Sequence, residues 1–423
     1  MKKLTVFAVA IALAGIALSA WADDLEISGH INTGMGWQYR TKAPHNALFG
    51  GFTEEGMLPA NNDKDADHRL THRSDVLFYA GDVELDLAKT FGENIRLRAD
   101  LDFVRANSYG YFGWGVNDII EQAYVTLNIP VGNGMEFLVG RFNAPMGLEA
   151  VDTNDNDLPF HTVVFNYLRP KNLTGAKLYY AFSDMVDLHL WLANNLQDVI
   201  STGGNGPKQI PAFGMRLGVK WGEKEKESTV GLSAAASAEA DDNDAEKMGE
   251  WSYLADVDAN VWLTDAFALG LEGLFRVDDA TSGAKDNYYY AGILNLHYVF
   301  SDVWDGTLRY TWAYDRNGDV DGLLPYGTGG ASINGADDAS QYHVIMWSDT
   351  TGTSHPTSAL GAKVQDHQID LGINYHITDG AKLSLMDRFE YVIPAKGGVA
   401  RSYGNLNKTG IVNTLALNFA YEF

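Results

Sequence analysis

Four carboxylates, Glu149, Asp152, Asp155 and Asp157, crowd one short segment that opens with Pro145 and Gly147. A Pro/Gly pair ends an extended run abruptly and turns the chain, so these acids leave a strand together rather than lining it. Arg96, Arg98, Asp100 and Asp102 alternate with apolar neighbours, which on a period-two strand sends all four side chains to one face. Arg216 and Arg309 hold the same kind of position on two further alternating segments. Acids on a loop facing a wall of mixed sign set up a transverse field. In a narrow water-filled passage such a field sorts solutes by charge and orients polar ones. These ten residues are the candidate constriction of a pore. The same projection turns Asp82, Glu84, Asp86, Asp256, Asp258, Glu272, Asp370 and Glu390 inward, along with Lys177, Lys220, Arg276 and Arg388.

Other chemistries find little support. The chain has no cysteine, which excludes disulfides, thiolate metal sites and covalently attached haem. His161, His343, His355 and His367 lie in or beside expected loops without a partner at a recognisable spacing. No phosphate-binding glycine loop, His-Glu-x-x-His or nucleophile elbow occurs, so neither an enzyme, a cofactor nor a metal centre is expected. Asn317, Asp319, Asp321 and Gly322 imitate the start of a calcium loop, but Thr328 stands where the bidentate Glu is required, so a polar turn is the better reading. A formal net charge of −24 argues against nucleic acid as a partner and fits surface loops held near anionic lipopolysaccharide by divalent cations.

The elements that must position these charges are strands. Leu415, Leu417, Phe419, Tyr421 and Phe423 alternate with Thr414, Ala416, Asn418, Ala420 and Glu422, an apolar and a polar face on one strand. The same alternation recurs at 25–39, 75–89, 95–106, 117–130, 135–144, 172–182, 186–196, 212–221, 228–238, 251–262, 266–278, 287–300, 305–316, 367–377, 382–393 and 409–423. Connectors after even-numbered strands are short, and several after odd ones are long, notably 40–74, 145–171, 197–211, 317–366 and 394–408. This predicts an all-β fold, a transmembrane antiparallel β-barrel of about 16 strands with short periplasmic turns and long extracellular loops. An even strand count places both termini on the periplasmic side. Trp221, Trp262, Phe300, Trp304 and Phe423 read as one aromatic girdle and Trp37, Tyr39, Phe142, Trp312, Tyr314 and Tyr391 as the other.

Lys2 and Lys3, the apolar run Leu4 to Leu18 and the Ala20-Trp21-Ala22 site read as a signal peptide over 1–22, leaving one barrel domain over 23–423. The location expected is the outer membrane of a Gram-negative bacterium, in contact with its lipid and lipopolysaccharide. Phe423, a terminal aromatic after such a strand, resembles the signal read by the barrel-assembly machinery.

One segment carries a resemblance. Gly140, Arg141 and Phe142 end a strand; Pro145, Gly147 and Glu149 follow, then Asn156 in an Asx-rich turn, Pro170, and Gly175 opening the next strand. This pattern, with the Ser183-Asp184 turn and Leu192-Ala193-Asn194-Asn195 beyond it, resembles the OmpL-like family of outer-membrane β-barrel porins over about sixty residues. The chain departs from that pattern at Leu148, where the family has Tyr, and at Leu158 and Pro159, where it has Ser. The resemblance implies a porin-like role. The function expected is a water-filled channel for passive diffusion of small hydrophilic solutes or ions, as a homotrimer by analogy with sixteen-stranded porins. The alternative is a surface-exposed receptor or adhesion barrel without an open channel.

Overall fold

The structure, a computed structural model, describes residues 25–40, 73–103, 119–196, 210–223, 226–241, 244–278, 286–316, 347–348, 354–355, 364–394 and 410–423. The signal segment at 1–22, the calcium-like turn at 317–322 and most of the connectors 40–74, 197–211, 317–366 and 394–408 lie outside them.

Sixteen strands close on one another in a single antiparallel barrel. They are β1 (Leu25–Arg40), β2 (Arg73–Phe91), β3 (Ile95–Asp102), β4 (Ile120–Ile129), β5 (Met135–Asn143), β6 (Asn172–Ala181), β7 (Val186–Ala193) and β8 (Ala212–Trp221). The other half holds β9 (Ser228–Asp241), β10 (Asp244–Thr264), β11 (Phe267–Asp278), β12 (Asn287–Ser301), β13 (Trp304–Asp315), β14 (Val364–Thr378), β15 (Ala381–Pro394) and β16 (Gly410–Glu422). Each pairs with its sequence neighbours, and β16 closes on β1 from His30↔Glu422 to Arg40↔Val412. Beyond that ladder, Phe423 N donates to Gly29 O at 3.0 Å and Gly29 N to Phe423 O at 3.2 Å. Closure leaves no edge strand, the condition for a sheet to stand in lipid with its backbone satisfied. A separate small pair, Trp347–Ser348 with Ser354–His355, was not anticipated. No helix among the described residues is long and apolar enough to cross a membrane, which says nothing of a barrel.

Burial shows which face is which. On β16, Leu415, Leu417, Phe419 and Tyr421 are 38–42% exposed, while Thr414, Ala416, Asn418 and Ala420 are at most 3% exposed. The apolar face therefore looks outward and the polar face inward, the reverse of a soluble sandwich. Two expected girdle residues belong inside. Phe142 is 1% exposed and packs in the interior cluster. Trp262 shares parity with Asp256 and Asp258 and meets the His297 ring edge-on at 5.9 Å. Strand-end position alone cannot decide a face; parity along the strand does.

Strand limits shift too. β9 and β10 run on to an Asp241↔Asp244 pairing where an end at 238 and a restart at 251 were expected, because the acidic tip of this hairpin masks its periodicity. The ladders slip register twice near the chain's beginning, between Asn32 and Thr33 in β1–β2 and between Asp100 and Leu101 in β3–β4.

Candidate functional site

The segment between β5 and β6, residues 144–171, folds into the barrel. Ala144 N donates to Lys171 O at 2.7 Å and ties the two ends of this inner loop together. Gly147 turns it with φ +81°, in the left-handed region that glycine occupies freely. A Cβ there would strike the Arg169 guanidinium, which donates to the carbonyls of Met146 and Glu149 from inside the turn. Met146, Leu158, Val163, Val164, Phe165 and Leu168 are each at most 4% exposed. Several of them join a cluster with Leu254, Leu274, Tyr289 and Ile293 on the inner faces of β10 to β12. The lumen wall therefore carries an apolar stripe that seats the loop. The alternation of apolar and charged residues elsewhere hides this stripe in the sequence.

β5 and β6 stand eight strands away from β13 and β14 around the closed wall, so contacts between them cross the whole interior. The loop makes such contacts. Glu149 accepts from Arg309 of β13 at 3.0 Å, and Arg309 also donates to Asp370 of β14 at 2.9 Å. Arg388 of β15 donates to the other Asp370 oxygen at 2.7 Å, and both arginines reach Phe160 O, at 2.5 and 3.2 Å. Asn295 donates to Asp157 at 2.6 Å, Asn374 to Asp157 O at 2.9 Å, and Gln368 accepts from Val163 N at 3.2 Å. Lys382 donates to Asn156 O at 3.2 Å. On the β1–β2 side, Thr153 donates to Asp82 at 3.0 Å and accepts from Asn32 at 2.9 Å.

Two loop acids are perturbed in opposite directions. Burial alone pushes the Glu149 carboxyl up, but Arg309 and the hydrogen bond from Thr162 outweigh it and hold the group at about 2. His161 lies 3.7 Å away and also favours the ionised Glu149 carboxyl, while burial lowers the pKa of His161 itself. Asp152 is pushed up to about 7, by burial first and then by Asp155, Asp82 and Asp100, with His30 opposing.

The family described as "Putative beta-barrel porin-2, OmpL-like" matches residues 24–345, more than half of the chain. The chain belongs to this porin family. The solved outer membrane channel DcaP of Acinetobacter baumannii is similar in fold, with TM-score 0.53 and 14% identity over 95% of this chain and 97% of that one. So is the anion-selective porin from Comamonas acidovorans, with TM-score 0.53 and 12% identity over 94% and 99%. Pseudomonas putida OprB follows at TM-score 0.50 and 12% identity over 97% of each. At such identities these likenesses speak for the fold. No curated protein sequence matches the chain significantly. The porin's wall is thus the wall of a passive outer-membrane channel.

In this porin the ten expected site residues fall into five groups. Glu149 and Arg309 meet and neutralise each other across the interior. Asp155 is exposed, and Asp157, half-buried with Asn295 on one carboxylate oxygen, is partly open to the lumen. Arg98 binds Asp100 at 2.7 Å on the β2–β4 wall, with Asp102 buried nearby on the same strand and Asp152 of the loop close to Glu84. Arg216 pairs with Asp258, and Arg96 pairs with Glu26 at 2.8 Å near the short-turn rim. Sequence reasoning left Asn295 and Asn374 unassigned. Both are inward residues of alternating strands, but amides carry no charge signal.

Proposed function

We propose that the inner loop 144–171 sets the constriction of the channel and that small hydrophilic solutes pass beside it, with Asp155 and Asp157 as the acids they meet. The observation that carries this is the chain of bonds from Glu149, Asp157 and Phe160 to β12–β15, which holds the loop across the lumen rather than over its rim. Glu149 takes a different role from its neighbours: paired to Arg309, it fastens the loop and contributes little field. Arg98 and Asp86, partly exposed on the opposite wall and 3.8 Å apart, complete a field of mixed sign. The assembly expected is a homotrimer in outer-membrane lipid and lipopolysaccharide, with Phe423 read by the barrel-assembly machinery. The short-turn rim, which both ends of the barrel share, faces the periplasm.

Reversal potential in a salt gradient across a planar bilayer tests the constriction. Asp155→Asn with Asp157→Asn should shift ion preference toward anions, more at low ionic strength, because the field of these acids is screened over roughly 8 Å at physiological salt. Unchanged preference in that variant, with a shift on neutralising Asp86 instead, places the selective charges on the wall. Folded protein giving no channel steps at all would return the receptor reading.

A further inference from the structure

Glu84 of β2 is 3% exposed, and neither of its carboxylate oxygens has a hydrogen-bond donor. An ionised carboxylate in that position is strongly disfavoured unless a positive charge accompanies it. Basic groups in this region have partners of their own, and Arg141 Nε donates to the Glu121 carbonyl. His30 lies 2.9 Å from Asp82, and Arg98 grips Asp100 with its Nε at 2.7 and 2.9 Å from the two oxygens. Glu84 groups with His30 and Asp82, with Asp86 and Asp100, and with Glu121 of β4 and Asp152 of the inner loop, the ligand atoms of each group lying within 4.8 Å of one another; the last of these is all carboxylate and joins loop to wall.

The wall is deformed to make this meeting possible. By strand parity Glu121 belongs with Ala123 and Val125, on the outward face. The register slip that pairs Asp100 with Gln122 but Leu101 with Ile120 leaves Glu121 as the extra residue of a bulge. A bulge re-aims its side chain, and Glu121 is buried inside, its carbonyl accepting from Arg141 Nε at 2.8 Å. The second slip, at Asn32/Thr33, pairs Asn32 with Asp82 but Thr33 with Ala80, and so bends β2 just ahead of Glu84. The third carboxylate arrives on the loop, and the Thr153–Asp82 bond at 3.0 Å holds the neighbouring residue against the same strand. Asp152 Oδ1 is likewise buried without a hydrogen-bond donor.

We propose that Glu84, Glu121 and Asp152 bind one hard divalent cation, calcium or magnesium, which fastens the inner loop to the β2–β4 wall. The oxygen-only donor set suits these ions rather than zinc or copper, which favour nitrogen and sulfur. The ion supplies on this side of the lumen what Arg309 and Arg388 supply on the other. It acts on the loop's position, and its binding is read without reference to transport.

Calorimetric titration of chelator-stripped, refolded protein in detergent, free of lipopolysaccharide and at pH 8, tests this with CaCl2 and with MgCl2 separately. One saturable site per chain is expected for at least one of the two ions. Glu84→Gln should weaken it at least tenfold, whereas Glu26→Gln, on the exposed rim pair, should leave it unchanged. Asp152→Asn, a loop change that leaves every wall strand intact, should weaken it as well and serves if Glu84→Gln does not fold. Absence of saturable binding by either ion overturns the proposal, as does equal affinity in the unmodified protein and in the folded Glu84 or Asp152 variant.

Discussion

On its far side the inner loop is met by Arg309 and Arg388, which share Asp370 and reach Glu149 and Phe160 O. On its β1–β4 side it meets Asp82, Glu84 and Glu121, and brings Asp152 to join them. Both contacts are polar and largely buried, but the far one sets two arginines against Glu149 and Asp370, while the near one gathers Asp82, Glu84, Glu121 and Asp152 around the single imidazole of His30. Two like charges about 5 Å apart repel by roughly 3 kcal/mol at an effective dielectric of about 20. The far contact is therefore balanced within the chain, and the near one holds more acids than bases. A lumen full of charge is not by itself a lumen full of available charge: Glu149 looks like a selectivity residue and behaves as a fastening.

Breaking the far contact should have the largest effect. Arg309→Met leaves Glu149 buried without its arginine counter-charge, a loss of up to about 3–5 kcal/mol by analogy with other broken buried pairs. Urea-induced unfolding of the detergent-solubilised barrel should show that loss, and single-channel recordings should show larger, noisier steps as the loop leaves its seat. Arg309→Met combined with Glu149→Gln should recover part of the stability. Additive losses would mean that the two residues do not act together.

Acidity should separate the two contacts by a smaller margin. Asp152, raised to about 7 from an ordinary 3.8, is disfavoured in its ionised form, so its cost is absent below about pH 4, grows as pH rises and is complete above 7. Glu149, lowered to about 2 from 4.5, stabilises fully above about pH 4.5 and loses that contribution only as pH falls through 2. In the presence of chelator, Asp152→Asn should raise the melting temperature more at pH 8 than at pH 5. Glu149→Gln should lower it at both. A gain for Asp152→Asn that is equal at the two pH values would show that the near contact holds no repulsion.

The smallest effect belongs to the rim. Arg96 and Glu26 pair at 2.8 Å with side chains 46% and 65% exposed, and such pairs are worth under about 1 kcal/mol. Arg96→Ala should leave thermal stability nearly unchanged. A loss comparable to that of Arg309→Met would erase the distinction between buried and exposed pairing on which the comparison rests.

The barrel was legible because its signal is local. Each strand announces itself by alternation within ten or so residues, and all sixteen anticipated strands are present, with ends moved by a few residues and, at the β9–β10 hairpin, by more. Pro145 and Gly147 announced the turn of the loop. Partnership did not show. Glu149 and Arg309 are 160 residues apart in the chain, and nothing near either names the other. Bulges defeated parity at Glu121, since one extra residue moves a side chain to the opposite face without altering composition. Phe142 and Trp262 were assigned to membrane girdles because aromatic residues at strand ends usually serve there; here they fill the interior.

The loop's dependence on distant strands also orders its assembly in time. Residues 144–171 stand far along the chain from Arg309, Asp370 and Arg388, and Asn374 bonds to Asp157 across 217 positions. Until β13–β15 are laid down, the loop has neither its salt bridges nor a facing wall. It must therefore dock late, against a barrel already nearly closed, and contacts of such sequence separation make this a slow step. An assembly intermediate in which β13–β15 do not yet face the loop would carry it undocked, with Phe165, Val163 and Val164 open to solvent and to chaperones.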